Sequence, residues 1–396
     1  MRTQPIQPHF TYKDKKGHHH KPGKEKRPLG DPVAYPKPFP KFIPPPATNL
    51  QYLSLDLDLI IPEEESKAIL DSGSLVFHSV GDTGGIHGDD VEKAIADAMD
   101  QQISEAQSNV TIAPLFLYHL GDVIYFNGQS YYYNSQFYEP FQNYHAPIFA
   151  IPGNHDGDNQ ARRGDPVDTE PSLFGFMRNF CDTTSNHESP YRATMTQPYV
   201  YWTLNTPFAT IIGLYSNVDG TLDARGTNEQ QQWFQQQVST APKDKALIIA
   251  VHHPPYSLDN HHGGYPDIEI AIDRIIQSTE RIPTIVLSGH VHNYQRFERD
   301  LGGKKVPYVV SGAGGYANTY KLLHKIELDE NGERLQEGFQ TTQGDLKFMN
   351  YNDQAPGFLR ITIDKKEKTL TSGYFLVPFD NGLLEKNPFD SVTVPW

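Results

Sequence analysis

A single cysteine, Cys181, in 396 residues leaves no intramolecular disulfide framework, which fits a reducing compartment. Long apolar runs are also missing. The longest, such as residues 246–251, falls far short of the roughly 20 residues of a membrane span. The opening Met-Arg-Thr-Gln-Pro lacks the apolar stretch of a signal peptide. By sequence, the expected setting is cytoplasmic, with no membrane partner. Positive charge is scarce wherever the chain can fold. Residues 1–47 carry ten Lys/Arg against three Asp/Glu, whereas the other 349 carry 24 against 45. A body of that sign repels phosphate backbones, so no nucleic-acid partner is expected for it. An anion that binds there must be drawn by local positive charge, which a metal ion supplies compactly.

Eleven of the 31 prolines fall within residues 1–47, with almost no periodic apolar pattern. A disordered, basic, Pro-rich tail is expected there, and His18, His19 and His20 within it read as a solvated tract. Residues 48–396 are expected to form one domain, since 22 Tyr and 21 Phe provide for a sizeable core. From about residue 70, short apolar runs alternate with helical patterns. Residues 75–80, 115–120, 147–151, 199–204, 208–215, 246–251 and 283–288 predict buried strands. Asp89 or Asp90 offers an N-cap for a helix carrying Val91, Ile95, Ala98, Met99 and Ile103 at helical spacing. Further helices are expected near 131–142, 171–181, 226–239 and 266–279, and antiparallel strands over 306–311, 358–363 and 369–375. Strands alternating first with helices and then with hairpins imply a layered α/β domain with mixed sheets.

The polar residues sit where such a fold places ligands. The first predicted strand runs into Gly81-Asp82-Thr83-Gly84, the second into Gly121-Asp122-Val123-Ile124-Tyr125 and the third into Gly153-Asn154-His155-Asp156. Later strands run into His252-His253-Pro254-Pro255-Tyr256 and Gly289-His290-Val291-His292. Carboxyl ends of strands in an open α/β sheet converge on one crevice. Each cluster alone reads as a capped turn or a satisfied polar strand end, but five in order do not. Two carboxylates, an amide oxygen, at least three imidazoles and a phenol, with no thiolate, suit a pair of borderline-to-hard ions. Two such ions can clamp a phosphoryl group and generate hydroxide at neutral pH.

The order GDTG, GDVIY, GNHD, HHPPY, GHVH resembles the calcineurin-like metallophosphoesterases over about residues 73–315. It is most similar to their purple acid phosphatase branch, of the single-domain type. Many relatives have Asp-x-His at the first motif; here Gly84 replaces that His, and Tyr125 ends the second motif. The resemblance implies a four-layer α/β/β/α sandwich with two mixed sheets and a dinuclear site at the strand ends. It implies that Asp82, Tyr125 and His292 hold a first ion, Fe(III), with Asp122 bridging. Asn154, His252 and His290 then hold a second, divalent ion (Zn, Mn or Fe). A phenolate, as a hard anionic donor, favours a trivalent ion.

In the family a Pro follows the liganding His by two residues, and a substrate-facing His by nine. His252 meets both conditions, with Pro254 and His261; His253 also has Pro255 and His262 at those distances. His155, His261 and His262 match positions that contact phosphate or protonate the leaving alkoxide. Asp156 is expected to fix the tautomer of His155. Cys181 reads as packing, His87 as a loop residue, and residues 157–198 as long enough for a lid. The implied activity is hydrolysis of small phosphate monoesters by a metal-bound hydroxide. A phosphodiesterase acting on cyclic nucleotides or other diesters is the alternative. A non-catalytic binding module would have lost ligands or acid groups, and none is missing.

Overall fold

A computed structural model describes residues 29–33, 41–48, 52–109, 111–162, 165, 169–187, 189–379 and 384–396. In chain order its strands are β1 (Ser54–Asp56), β2 (Ser74–Val80), β3 (Leu117–His119), β4 (Ile148–Ala150) and β5 (Trp202–Asn205). They continue as β6 (Ala209–Leu214), β7 (Ala246–Val251), β8 (Ile285–Ser288), β9 (Tyr294–Leu301) and β10 (Lys304–Ser311). The last are β11 (Phe339–Gln340), β12 (Leu346–Asn352), β13 (Gly357–Asp364), β14 (Thr369–Leu376) and β15 (Asp390–Pro395). The helices are α1 (Glu63–Ser72), α2 (Asp90–Ser108), α3 (Asn154–Gly157), α4 (Phe174–Phe180), α5 (Glu229–Thr240) and α6 (Pro266–Thr279).

Two mixed sheets result. One runs β1-β5-β6-β7-β8-β10-β9-β12-β11 and the other β15-β14-β13-β2-β3-β4. Parallel pairing joins β6, β7, β8 and β10 in the first, and β2, β3 and β4 in the second. Helices α1 and α2 cover the six-stranded sheet, while α5 and α6 cover the nine-stranded one. This is the expected α/β/β/α order. Strand β7 shows why its run is apolar throughout: Ala246, Ile248 and Ala250 join one core cluster, and Leu247, Ile249 and Val251 the other. A strand buried on both faces has no solvent side to mark with polar residues. Among the described residues no helix is long and apolar enough to cross a membrane.

The sequence concealed several elements. Strand β9 reads Tyr-Gln-Arg-Phe-Glu-Arg-Asp-Leu, yet Arg296 and Arg299 are buried. They are held by carboxylates: Asp390 accepts from Arg296 Nε at 2.6 Å and Nη2 at 2.9 Å, and Asp273 and Asp345 accept from Arg299. The Arg296–Asp390 pair ties β9 of one sheet to β15 of the other, and Tyr294 Oη adds a 2.7 Å bond to the same carboxylate. The continuous helix expected near 131–142 is instead a 3₁₀ turn, Ser130–Tyr132, followed by a π-helical turn, Asn134–Tyr138. There Gln136 points inward, accepting from Tyr125 N and donating to Tyr125 O at 2.8 and 2.9 Å. Two stretches of the segment expected to form the tail are among the described residues. Ser257 N donates to Pro32 O at 3.0 Å, Gly30 N to Glu327 Oε1 at 2.8 Å, and Ile43 N to Asn217 Oδ1 at 2.9 Å. The remainder of that segment, with the histidines at 18–20, lies outside the described residues. Residues 157–198 are not wholly a lid, because Phe176 and Phe180 on α4 are part of the core.

Candidate metal centre

The strand ends deliver the expected residues to one place. Asp82 follows β2, Asp122 and Tyr125 follow β3, Asn154 opens α3 after β4, His252 follows β7, and His290 and His292 follow β8. The turns are tight. Asp82, Asp122 and His290 have φ of 59°, 53° and 67°, a left-handed conformation that costs a non-glycine residue about 1–3 kcal/mol and clusters at functional sites. Close approach explains the glycine of the third motif: a Cβ on Gly153 would lie 2.1 Å from Asp122 Oδ1.

Two groups of donors face each other. In one, Tyr125 Oη lies 3.2 Å from Asp82 Oδ1 and 3.4 Å from His292 Nε2. In the other, His252 Nε2 lies 3.2 Å from Asn154 Oδ1 and 3.3 Å from Asp122 Oδ2. Ligand atoms of Asp122, His252 and His290 all fall within 4.8 Å of one another, so they fit one ion. His252 Nδ1 donates to the Leu120 carbonyl at 2.8 Å, which turns Nε2 to the centre. His253 falls outside that group: its Nδ1 lies 2.7 Å from Ser216 Oγ, and its ring packs 4.3 Å from that of His290. The geometry therefore separates the two adjacent histidines. A Cβ on Gly84 would meet Tyr125 Cδ2 at 2.9 Å, so a larger side chain at 84 and the Tyr125 ring compete for one space.

Electrostatics suit a cation. Burial and the nearby Asp122 charge push the Asp82 carboxyl well above its usual range. Burial has the same tendency at Asp122, but the imidazoles of His252 and His155 outweigh it and hold that carboxyl low. Burial alone would lower His252; Asp122 overcomes this and pushes it up to about 9. Positive charge is thus favoured at His252 Nε2, where a proton and a metal ion compete. His292 is held down to about 3, chiefly by burial, and its Nδ1 is a buried atom with no partner among the described residues. Burial, then Asp82 and Asp122, push the Tyr125 phenol well up. A tyrosinate there requires the charge of a bound ion.

Around this centre lies a rim of imidazoles. His155 Nδ1 donates to the Phe126 carbonyl at 2.8 Å, and its backbone N donates to Asp122 Oδ1 at 2.8 Å. The expected pairing of Asp156 with the His155 ring is not made. Asp156 is fully buried and accepts from the backbone N of Gly153, Val123 and Ile124 at 2.8, 3.1 and 3.3 Å. It pins the second motif to the third instead of setting a tautomer. His261 and His262 sit side by side, their backbone N groups donating to Asp259 Oδ2 at 2.9 and 2.8 Å.

The sequence reading missed three rim residues. Ligand atoms of His324 fall within 4.8 Å of those of His261 and His262, and its ring stacks on His292 at 4.3 Å. Tyr265 Oη lies 2.7 Å from His290 Nε2. Asp259, two residues before His261, had a local signal as a turn-forming carboxylate; His324, alone in a loop, had none. His87 is an exposed turn residue, as expected, with its ring 4.9 Å from Tyr316. Cys181 is half-buried and bridges Thr196.

A layered α/β sandwich with carboxylate, amide, phenol and imidazole donors at its strand ends defines the class. The chain belongs to the calcineurin-like phosphoesterases, whose family profile matches residues 77–294. Among curated proteins, a "Probable glycerophosphodiester phosphodiesterase GpdQ" of Arcobacter nitrofigilis is 25% identical over 149 residues. The match takes in 37% of this chain and 45% of that protein, so this chain spans about half the length of that relative. Among solved structures, GAP50, described as the anchor in the inner membrane complex of Plasmodium, shares the fold. It has a TM-score of 0.53 and 11% identity over 81% of this chain and 89% of that one. A dimetal phosphatase from Danio rerio overlays with a TM-score of 0.44 at 11% identity, over 81% and 98% of the two chains.

Proposed function

We propose that the protein hydrolyses small phosphate monoesters at a two-metal centre of the purple acid phosphatase type. Tyr125 carries this reading. Its phenol lies 3.2 Å from Asp82 Oδ1 and 3.4 Å from His292 Nε2, in space that only a glycine at 84 leaves open. Asp82, Tyr125 and His292 would hold Fe(III); Asn154, His252 and His290 a divalent Zn, Mn or Fe; and Asp122 both. When bound, the ions supply Lewis acidity and a water of lowered pKa. The chain's own groups do the rest. The Leu120 carbonyl and Asp122 orient His252. Asp156 fixes the loops bearing Asp122 and Asn154 through three backbone N–H groups. His155, anchored at Nδ1 by the Phe126 carbonyl, keeps Nε2 for substrate. His261 and His262, whose rings pack beside His324 and His290, would meet the phosphoryl group. The domain of this activity would be residues 48–396.

A diesterase with the same donors is the second reading, supported by the partial likeness to the glycerophosphodiester phosphodiesterase. The test is steady-state hydrolysis of matched aryl phosphate mono- and diesters by metal-loaded protein between acidic and neutral pH. Monoester preference is expected, with a visible tyrosinate–Fe(III) absorption band that Tyr125→Phe removes. Diester preference moves the assignment to the second reading, and no turnover of either ester with both ions bound ends the hydrolytic one.

A further inference from the structure

His261 and His262 belong to a loop, and a site carried on a loop is less precise than one built on strands unless something braces it. Small displacements would be felt here. The His262 ring centre lies 4.3 Å from that of His290, and the His261 ring stacks on His324 at 4.6 Å. On one side the brace is the segment that follows His324. Asp259 bridges antiparallel to Ile326, with Asn260 N donating to Lys325 O at 2.8 Å and Glu327 N to Leu258 O at 2.9 Å.

On the other side the brace comes from residues 29–33, of which Gly30 and Pro32 are buried. Pro32 O accepts from Ser257 N at 3.0 Å, ahead of His261, and Val33 bridges parallel to Gly264, just past His262. The two contacts bracket both histidines. The approach is close: a Cβ on Gly264 would lie 2.4 Å from Pro32 O and 2.3 Å from Pro255 O. Residues 29–33 are in turn fastened away from the rim. Gly30 N donates to Glu327 Oε1 at 2.8 Å, Gly30 O accepts from Thr342 N at 2.9 Å, and Leu29 packs against the core cluster that holds Leu247 and Ile249.

We propose that residues 29–33 are a positioning strap, holding His261 and His262 where a phosphoryl group at the metal centre meets them. The proposal rests on the phosphatase reading above. Pro32 and Val33 reach the loop through backbone atoms, so the strap is best tested by displacing it. Gly30 provides the handle. Its φ is 77°, and a Cβ there would lie 2.8 Å from Phe339 Cε1, so Gly30→Val forces the strap away and leaves every rim side chain in place.

In metal-loaded full-length protein, Gly30→Val is expected to lower kcat/KM for an aryl phosphate monoester by roughly tenfold, as misplaced substrate-facing groups do, with metal content unchanged. In a background carrying His261→Ala and His262→Ala, the same substitution should cost no more than about twofold, because the groups it displaces are gone. A strap that only stabilises the fold gives the same loss in both backgrounds. That result, or no loss in either, overturns the proposal and leaves the phosphatase reading standing. Gly30→Ala, with the same left-handed strain and a smaller clash, takes the place of Gly30→Val should the latter not fold. If the unaltered protein turns over no ester with both ions bound, the phosphatase reading fails, and calorimetric affinity for inorganic phosphate in the same four proteins decides the strap. A loss confined to the background with both histidines sustains it; an equal loss, no loss or no phosphate binding overturns it.

Discussion

The inner donors and the outer histidines are built differently. Asp82, Asp122 and His252 are fully or almost fully buried, and backbone groups fix them: His290 N donates to Asp82 Oδ2 at 2.7 Å, and His252 Nδ1 donates to Leu120 O at 2.8 Å. His261 is exposed and His262 half-buried, on a loop organised by one carboxylate, Asp259. The inner set is paid for in backbone strain and desolvation, as a site that must hold charge at fixed distances would be. The rim histidines carry no such backbone strain, and burial weighs on His262 alone of the His261–His262 pair. Groups that meet a departing substrate must be reachable, so precision is concentrated where ions sit and access where esters enter.

Asp122→Ala should sharpen the contrast most. On the proposed reading it removes a donor that would serve both ions, so metal content should fall and kcat should drop by more than the roughly 10–100-fold typical of outer partners. Elemental analysis with steady-state kinetics checks both, and a fully loaded, active Asp122→Ala protein would erase the distinction. His262→Ala should lower kcat by roughly 100-fold, the scale of a lost acid or phosphate contact, while metal content stays at the wild-type level. Metal loss in this variant would place the rim inside the centre.

Asp390 offers a third case, away from the chemistry and expected to affect turnover least. Burial would raise its carboxyl, but hydrogen bonds from Arg296 and Tyr294 outweigh that and hold it below the usual range. The depressed pKa makes its contribution complete above the ordinary aspartate range and lost as pH falls through the folded value. Asp390→Ala should cost about 3–5 kcal/mol, because it strands a buried guanidinium, and should flatten the acid limb of stability. Denaturant unfolding at several pH values measures this; an unchanged acid limb would remove Asp390 as its source.

Much of this was legible before any coordinates. Strand 246–251 announces itself because two buried faces demand continuous apolar residues, and 75–80 stays readable despite its buried His78 and Ser79; glycine before Asp82, Asp122 and His290 marks where strands break into sharp turns. Strand β9 stayed hidden because its buried positions carry arginines, whose carboxylate partners Asp273, Asp345 and Asp390 lie far off in the chain. Spacing fitted both His252 and His253, and only the tertiary structure groups His252 with Asp122 and His290.

The sequence by itself determined the layered α/β class, the donor types and their order, since periodicity and composition are local properties of the chain. Only the tertiary structure decided that Asp156 braces loops instead of pairing with His155 and that His324 joins the rim. Those relations join residues dozens of positions apart, and no local pattern encodes which of many polar groups will finally meet.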